Sequence, residues 1–206
     1  MQNRNYQREL EQLIQTYQKE GKVPRLMLHS CCAPCSSYVL EYLSKFFEIT
    51  VLYYNPNISP KEEYDRRVEE QERLIREMEF VHPVKLIVGT YDPERYYAMA
   101  KGLEKVPEGG ERCFKCYRLR MEAAASLAKE EGYDFFTTTL SISPLKRSAV
   151  INDIGEELSV IYHVAHLPSD FKKKNGFKRS TELSAEHHLY RQNFCGCVFS
   201  RPENRI

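Results

Sequence analysis

The chain is 206 residues long, 42% hydrophobic and 29% charged, with 30 basic against 29 acidic side chains. That apolar fraction excludes a disordered chain, and no run of about 18 apolar residues is present to span a membrane. The opening MQNRNYQREL has no apolar leader core, so the expected location is the cytoplasm, with no membrane partner. Charge is uneven: from Asp170 to Ile206 eight basic side chains stand against four acidic ones, a basic tail on a mildly acidic body.

Tyr6, Leu10, Leu13, Ile14 and Tyr17 recur at helical spacing and predict a helix over residues 3–20, ended by Gly21. After Pro24, RLMLHS predicts a buried strand that runs straight into CCAPC, and residues 36–47 predict a helix. Residues 49–54 read as a second strand, and NPNISP as a turn. Ser59 and Glu62 form a capping-box pattern with Pro60 at the first helical position, opening a helix to about residue 79. Residues 84–89 predict a third strand, and Asp92-Pro93 opens a short helix. VPEGGER then leads into CFKC and a long Ala-rich helix ending near Gly132. Residues 134–139 predict strand four, SISPLK a loop, and a helix follows from about Arg147. Residues 160–167 predict strand five, and a helix lies near 180–191.

Alternating strands and helices imply one parallel sheet with helices on both faces. Residues 1–24 read as an N-terminal helical extension, and 25–206 as a single α/β catalytic domain ending in a basic segment. Ligands of such sheets bind beyond the strand ends where strand order reverses, which directs attention to residues 29–35 and 141–146.

Seven cysteines fall in three tight clusters: Cys31, Cys32 and Cys35; Cys113 and Cys116; Cys195 and Cys197. Clustered thiols without a secretion signal point to metal or redox chemistry rather than structural disulfides. Cys32 and Cys35, after a strand and opening a helix, have the local form of a thioredoxin-type pair, which leaves the other clusters without a role. The two CxxC pairs could hold a structural zinc in a four-thiolate site, leaving three thiols over. An iron–sulfur cluster accommodates the adjacent Cys31 and Cys32 more easily, and the spacing favours it. HSCCAPCSSY contains no glycine, so a phosphate loop and ATP use are not expected.

HSCCAPCSSY, YYNPNI, EYDRR, RCFKCYRLR, TTTLSISPLK, DFKKKNGFKRS and LYRQNFCGCVFS run in order from residue 29 to residue 200. Together they strongly resemble the cobalamin-independent epoxyqueuosine reductase family, QueH. The resemblance implies a Rossmann-like fold of the PP-loop (HUP-like) type with cysteines in place of the nucleotide loop. It implies an oxidoreductase of the last step of queuosine biosynthesis, reducing the epoxide of epoxyqueuosine in the anticodon loop of tRNA, without cobalamin. A 4Fe-4S cluster is implied on Cys31, Cys32, Cys113 and Cys116, with Cys195 and Cys197 as a redox-active pair. One departure is visible: Leu145 stands where the family often carries His, leaving Lys146 as the nearer catalytic candidate.

Removing an epoxide oxygen as water takes two electrons and two protons. A cluster passes electrons singly, so a second store is useful: the Cys195/Cys197 pair, or a second mononuclear iron held by Cys35 and that pair. The external electron donor is not named by the sequence. His29, Tyr38, Asp65 and Lys146 lie in or beside the motifs as proton-donor candidates, and His29 reads equally as a core imidazole. Lys172, Lys173, Lys174, Lys178 and Arg179 are the expected tRNA-binding cations, with Phe177 and Tyr190 as candidates for stacking on bases. Asn55 and Asn57 read as ligand-facing amides or as turn residues. Arg66 and Arg67 read as phosphate contacts or as part of an exposed helix face.

Overall fold

The computed structural model describes residues 4–201. Residue 3, the predicted start of the first helix, and Glu203 and Arg205 of the basic tail lie outside them. The elements run α1 (Tyr6–Lys19), β1 (Arg25–His29), α2 (Ala33–Leu43), β2 (Glu48–Tyr53), α3 (Lys61–Glu77), β3 (Val84–Val88), α4 (Pro93–Ala100), α5 (Glu111–Glu130), β4 (Phe135–Thr138), α6 (Ser148–Tyr162), β5 (Ala165–His166) and α7 (Gly176–Glu186). Single 3-10 turns span Thr139–Ile142 and Val198–Ser200. The sheet has five strands in the order β3-β2-β1-β4-β5, and every neighbouring pair is parallel. This is the Rossmann-like α/β arrangement that the strand–helix alternation predicts.

Strand alternation divides the core between two faces. Leu26 and Leu28 of β1 pack with Leu10 and Ile14 of α1, Val39, Leu40 and Leu43 of α2, and Leu74 of α3. Met27, between them, points the other way onto Met121, Ala124 and Ala128 of α5 and Ile151 and Leu158 of α6. The chain winds outward from β1 to β3 and then returns past β1 to β4. The carboxyl ends of β1 and β4 are therefore the point where strand order reverses.

Four elements differ from the sequence reading. Val160 and Ile161 are not in a strand: they lie on the solvent face of α6, 74% and 55% exposed, because Ile151, Ile154 and Leu158 hold the helical period on its buried side. His163 ends that helix at φ 55°, and β5 is only Ala165–His166. The capping box is also absent, since Pro60 caps α3 and the Ser59 hydroxyl makes no cap bond. Ser59 instead holds the C-terminal segment: its N–H donates to the Gly196 carbonyl at 3.0 Å, and its carbonyl accepts from Arg201 Nη2 at 2.7 Å. Helix α2 begins at Ala33, earlier than predicted, because Pro34 lies in the first turn, where its missing N–H is not needed. Helix α7 begins at Gly176, which is required by close approach: a Cβ there would collide with the Phe171 carbonyl and the Tyr38 ring.

Candidate active site

The β1 and β4 ends meet as the topology requires. Cys31 N–H donates to Thr139 Oγ1 at 3.3 Å, and the same hydroxyl lies 3.5 Å from the Cys31 thiol. Below them the CCAPC turn is fixed by a buried polar network. Ser30 and Ser36 both donate to Gln71 Oε1, at 2.7 and 2.9 Å, and Asn55 Nδ2 donates to the Ser30 carbonyl at 2.8 Å. The result brings the Cys31, Cys32 and Cys35 sulfurs within 4.8 Å of one another, a spacing that could hold a metal ion.

The remaining thiols come from two other elements. Cys113, Cys116, Tyr117 and Arg120 recur at i, i+3, i+4 and i+7 and share one face of α5. Gly109 N–H donates to Cys113 Sγ at 3.3 Å, and Arg112 holds the preceding loop through the carbonyls of Leu103, Glu104 and Val106. Opposite them, the Cys195–Cys197 turn needs glycine: Gly196 has φ +109°, and a Cβ there would meet Ile58 and Arg67. Arg67 Nη1 donates to the Cys195 carbonyl at 3.2 Å. Cys31, Cys32, Cys35, Cys113 and Cys195 line one cleft of about 230 Å³. Cys113, Cys116, Cys195 and Cys197 surround a small chamber directly behind it. All seven cysteines are free thiols.

Charge in the cleft is cationic against sulfur. Hydrogen bonds from the Cys32 and Cys35 thiols hold Cys31 well below the ordinary thiol range, with Lys146 and the Thr139 hydroxyl adding to the effect. The same pairing pushes Cys32 up to about 12, the opposite of what a thioredoxin-type first cysteine requires. Burial pushes Cys116 up to about 12. Burial works against the Lys146 ammonium, but the facing Cys195, Cys31 and Cys35 outweigh it and keep Lys146 charged. Arg120 is 1% exposed and lines both cavities.

Other predicted residues fall elsewhere. His29 is a core imidazole: its Nδ1 pairs with Thr138 Oγ1 at 2.8 Å and its Nε2 with the Tyr54 carbonyl at 3.2 Å, and burial lowers it to about 3. Tyr38 stacks on Tyr42 outside the cleft, and Asp65 pairs with Lys61 on the exposed face of α3. Arg66 covers one face of the Tyr190 ring, 3.5 Å from its centroid. Phe177 is 40% exposed and lines the cleft mouth beside Leu145, which is 78% exposed. Of the basic run, Lys172 pairs with Asp170, Lys174 with Glu11, Lys178 with Glu182 at 3.9 Å, and Arg179 with both Glu41 and Glu186. Lys173 is exposed and makes no ion pair among the described residues. Sequence reasoning missed Arg120 and Tyr117, although their shared helical face with the CFKC thiols was a usable signal.

The residues suit a metal–sulfur group. Soft thiol donors from three segments converge on one cleft, and Arg120 Nη2, buried beside them, has no hydrogen-bond partner. A buried cation of this kind calls for an anionic neighbour, which thiolate-bound metal supplies.

Comparison with known proteins shows the family. A family model described as epoxyqueuosine reductase QueH matches residues 26–203. A Staphylococcus epidermidis protein of that name is 42% identical over 206 residues, covering 98% of this chain and 87% of its own length. One from Streptococcus pyogenes is 43% identical, covering 95% and 78%, and one from Thermotoga maritima is 32% identical, covering 87% and 92%. With a family match across residues 26–203 and relatives 32–43% identical over most of both chains, the chain belongs to the epoxyqueuosine reductase QueH family.

Proposed function

We propose that this chain is an oxidoreductase that reduces the epoxide of epoxyqueuosine in tRNA to queuosine, with a 4Fe-4S cluster held by Cys31, Cys32, Cys113 and Cys116. The observation that carries the reading is the convergence of thiols from the ends of β1, α5 and the C-terminal turn on one cationic cleft at the strand-order reversal. Cys35 and Cys195 line the same cleft, and with Cys197 behind it they are the residues for a second iron or a dithiol electron store. When bound, such a group supplies single electrons and Lewis acidity toward an oxygen ligand.

The protein's own groups bind, charge and close the site. Lys146 holds a proton at Nζ and offers its charge to an oxygen that becomes anionic as the epoxide opens. Burial keeps the Tyr117 phenol protonated at the cleft wall, a second donor for the water that leaves. Leu145 and Phe177 flank the mouth as apolar surfaces for an unstacked anticodon nucleotide. Arg191 lines the same cleft, and the exposed Lys173 and Lys178 are further cations for phosphate contact. Lys172, Lys174 and Arg179 contribute mainly by positioning this segment through their carboxylate partners. The two electrons come from an external donor.

The test is direct. Protein purified without oxygen and given a strong chemical reductant converts epoxyqueuosine to queuosine in tRNA, read by mass spectrometry of the released nucleosides. Cys31→Ser or Cys113→Ser should abolish conversion. Full conversion by either variant would overturn the assigned ligand set.

A further inference from the structure

We propose that Arg120 is the built-in counter-charge of the thiol-bound redox group, a positioning residue that sets the group's reduction potential. The inference rests on the reading above, that the thiols hold an anionic metal–sulfur group.

Three arginines are almost wholly buried around the site, and of these Arg67 has a carboxylate partner. Arg67 pairs with Glu63 and donates to the Cys195 carbonyl. Arg112 spends its Nη1 on three loop carbonyls, leaving its Nε without a partner on the loop side of the chamber. Arg120 differs in lining both the cleft and the chamber. Its Nε donates to the Cys116 carbonyl at 3.2 Å and its Nη1 to Asn55 Oδ1 at 3.3 Å, but its Nη2 has no partner. It makes no ion pair with a carboxylate among the described residues. A guanidinium so enclosed is destabilising unless an anion lies beside it, because removing the charge from water is not offset by two neutral acceptors.

Sulfur dominates its surroundings: Cys31, Cys32, Cys35, Cys113 and Cys195 line the cleft with Arg120, and Cys113, Cys116, Cys195 and Cys197 the chamber, with Glu108 the one carboxylate on either lining. The side chain lines both the cleft and the chamber behind it, so it stands where the thiol segments converge. Its orientation is imposed by Asn55, which also clamps the Ser30 carbonyl at the base of the CCAPC turn. That linkage gives a role to Asn55, which is buried and lines neither cavity. A fixed positive charge and a spare N–H next to a thiolate-bound group make electron uptake easier, raising the potential.

The test compares anaerobically purified wild type, Arg120→Gln and Arg120→Lys, each with iron and acid-labile sulfide counted and the potential measured by spectroelectrochemical titration. The Gln variant should show a potential shifted negative at unchanged metal content, with the Lys variant recovering most of the shift. Turnover at a fixed reductant should fall at least tenfold in the Gln variant, with the KM for tRNA unchanged. A Gln variant at the wild-type potential overturns the role of Arg120. Should the Gln variant lose its metal on purification, the melting of metal-free proteins decides. An uncompensated buried charge predicts a metal-free Gln variant at least as stable as metal-free wild type, and a clearly less stable one overturns the proposal. Wild type that takes up no iron or sulfide after reconstitution would instead sink the reading beneath it.

Discussion

Thr139 ties the two halves of the sheet together at the site: its hydroxyl accepts from Cys31 N–H at 3.3 Å and lies 3.5 Å from that residue's thiol. Residue 139 follows β4 and residue 31 follows β1, so one hydroxyl spans the strand-order reversal. Thr139→Val keeps the shape and leaves a part-buried N–H without its acceptor, which costs about 1 kcal/mol. Urea unfolding of the metal-free variant should show that loss, and the loaded variant should release iron faster than wild type during dialysis against a chelator.

Gly155 lies in the middle of α6, where glycine is unfavourable by about 1 kcal/mol relative to alanine. Its presence follows from His166 of β5, whose ring occupies the space of a Cβ. Gly155→Ala should therefore be destabilising by about 1–2 kcal/mol despite the gain in helix propensity. Combining it with His166→Ala should make the same substitution neutral or stabilising, a sign change read from a double-mutant cycle in urea.

His166 also makes stability depend on pH. Burial, with a smaller contribution from Arg4, lowers its pKa from 6.5 to about 3, and Nε2 has no hydrogen-bond partner. Between those values the unfolded chain binds a proton that the folded chain does not, so this contribution is complete above pH 6.5 and is lost as pH falls below it. At pH 5 the loss is at most about 2 kcal/mol, since the ring is only partly enclosed. His166→Gln should show a shallower fall in unfolding free energy between pH 7 and pH 5 than wild type.

The cations of the tail divide by partner. Phe177→Ala should raise the KM for tRNA about fivefold to a hundredfold, the range expected for losing one stacked base, with kcat little changed. Lys173→Gln should reduce the slope of log affinity against log salt by about 1, as for one lost phosphate contact. Arg179→Gln should act differently, because its guanidinium is held by Glu41 and Glu186. Its melting temperature should fall more than its salt slope changes.

Much of this was readable beforehand, and the exceptions have identifiable causes. The β1 and β2 runs are legible because strands covered on both faces must be apolar throughout, and the sheet order places residues 29–35 beside residues 141–146 as expected. Val160 and Ile161 misled because β-branched residues usually mark strands, yet here they decorate the solvent side of a helix whose period is carried by Ile151, Ile154 and Leu158. Arg120 was hidden among the arginines of RCFKCYRLR. Its near neighbour Arg118 is exposed and pairs with Glu157, while Arg120 lies four residues after Cys116, on the thiol face. The pairing of Lys172, Lys174 and Arg179 with carboxylates from distant elements could not be inferred from a local count of charges.

The most direct measurement is iron, zinc and acid-labile sulfide per chain on protein purified without oxygen. The account predicts about four irons and four sulfides, with any further iron assigned to the Cys35, Cys195 and Cys197 group. Stoichiometric zinc with no sulfide, persisting after attempted cluster reconstitution, would contradict it.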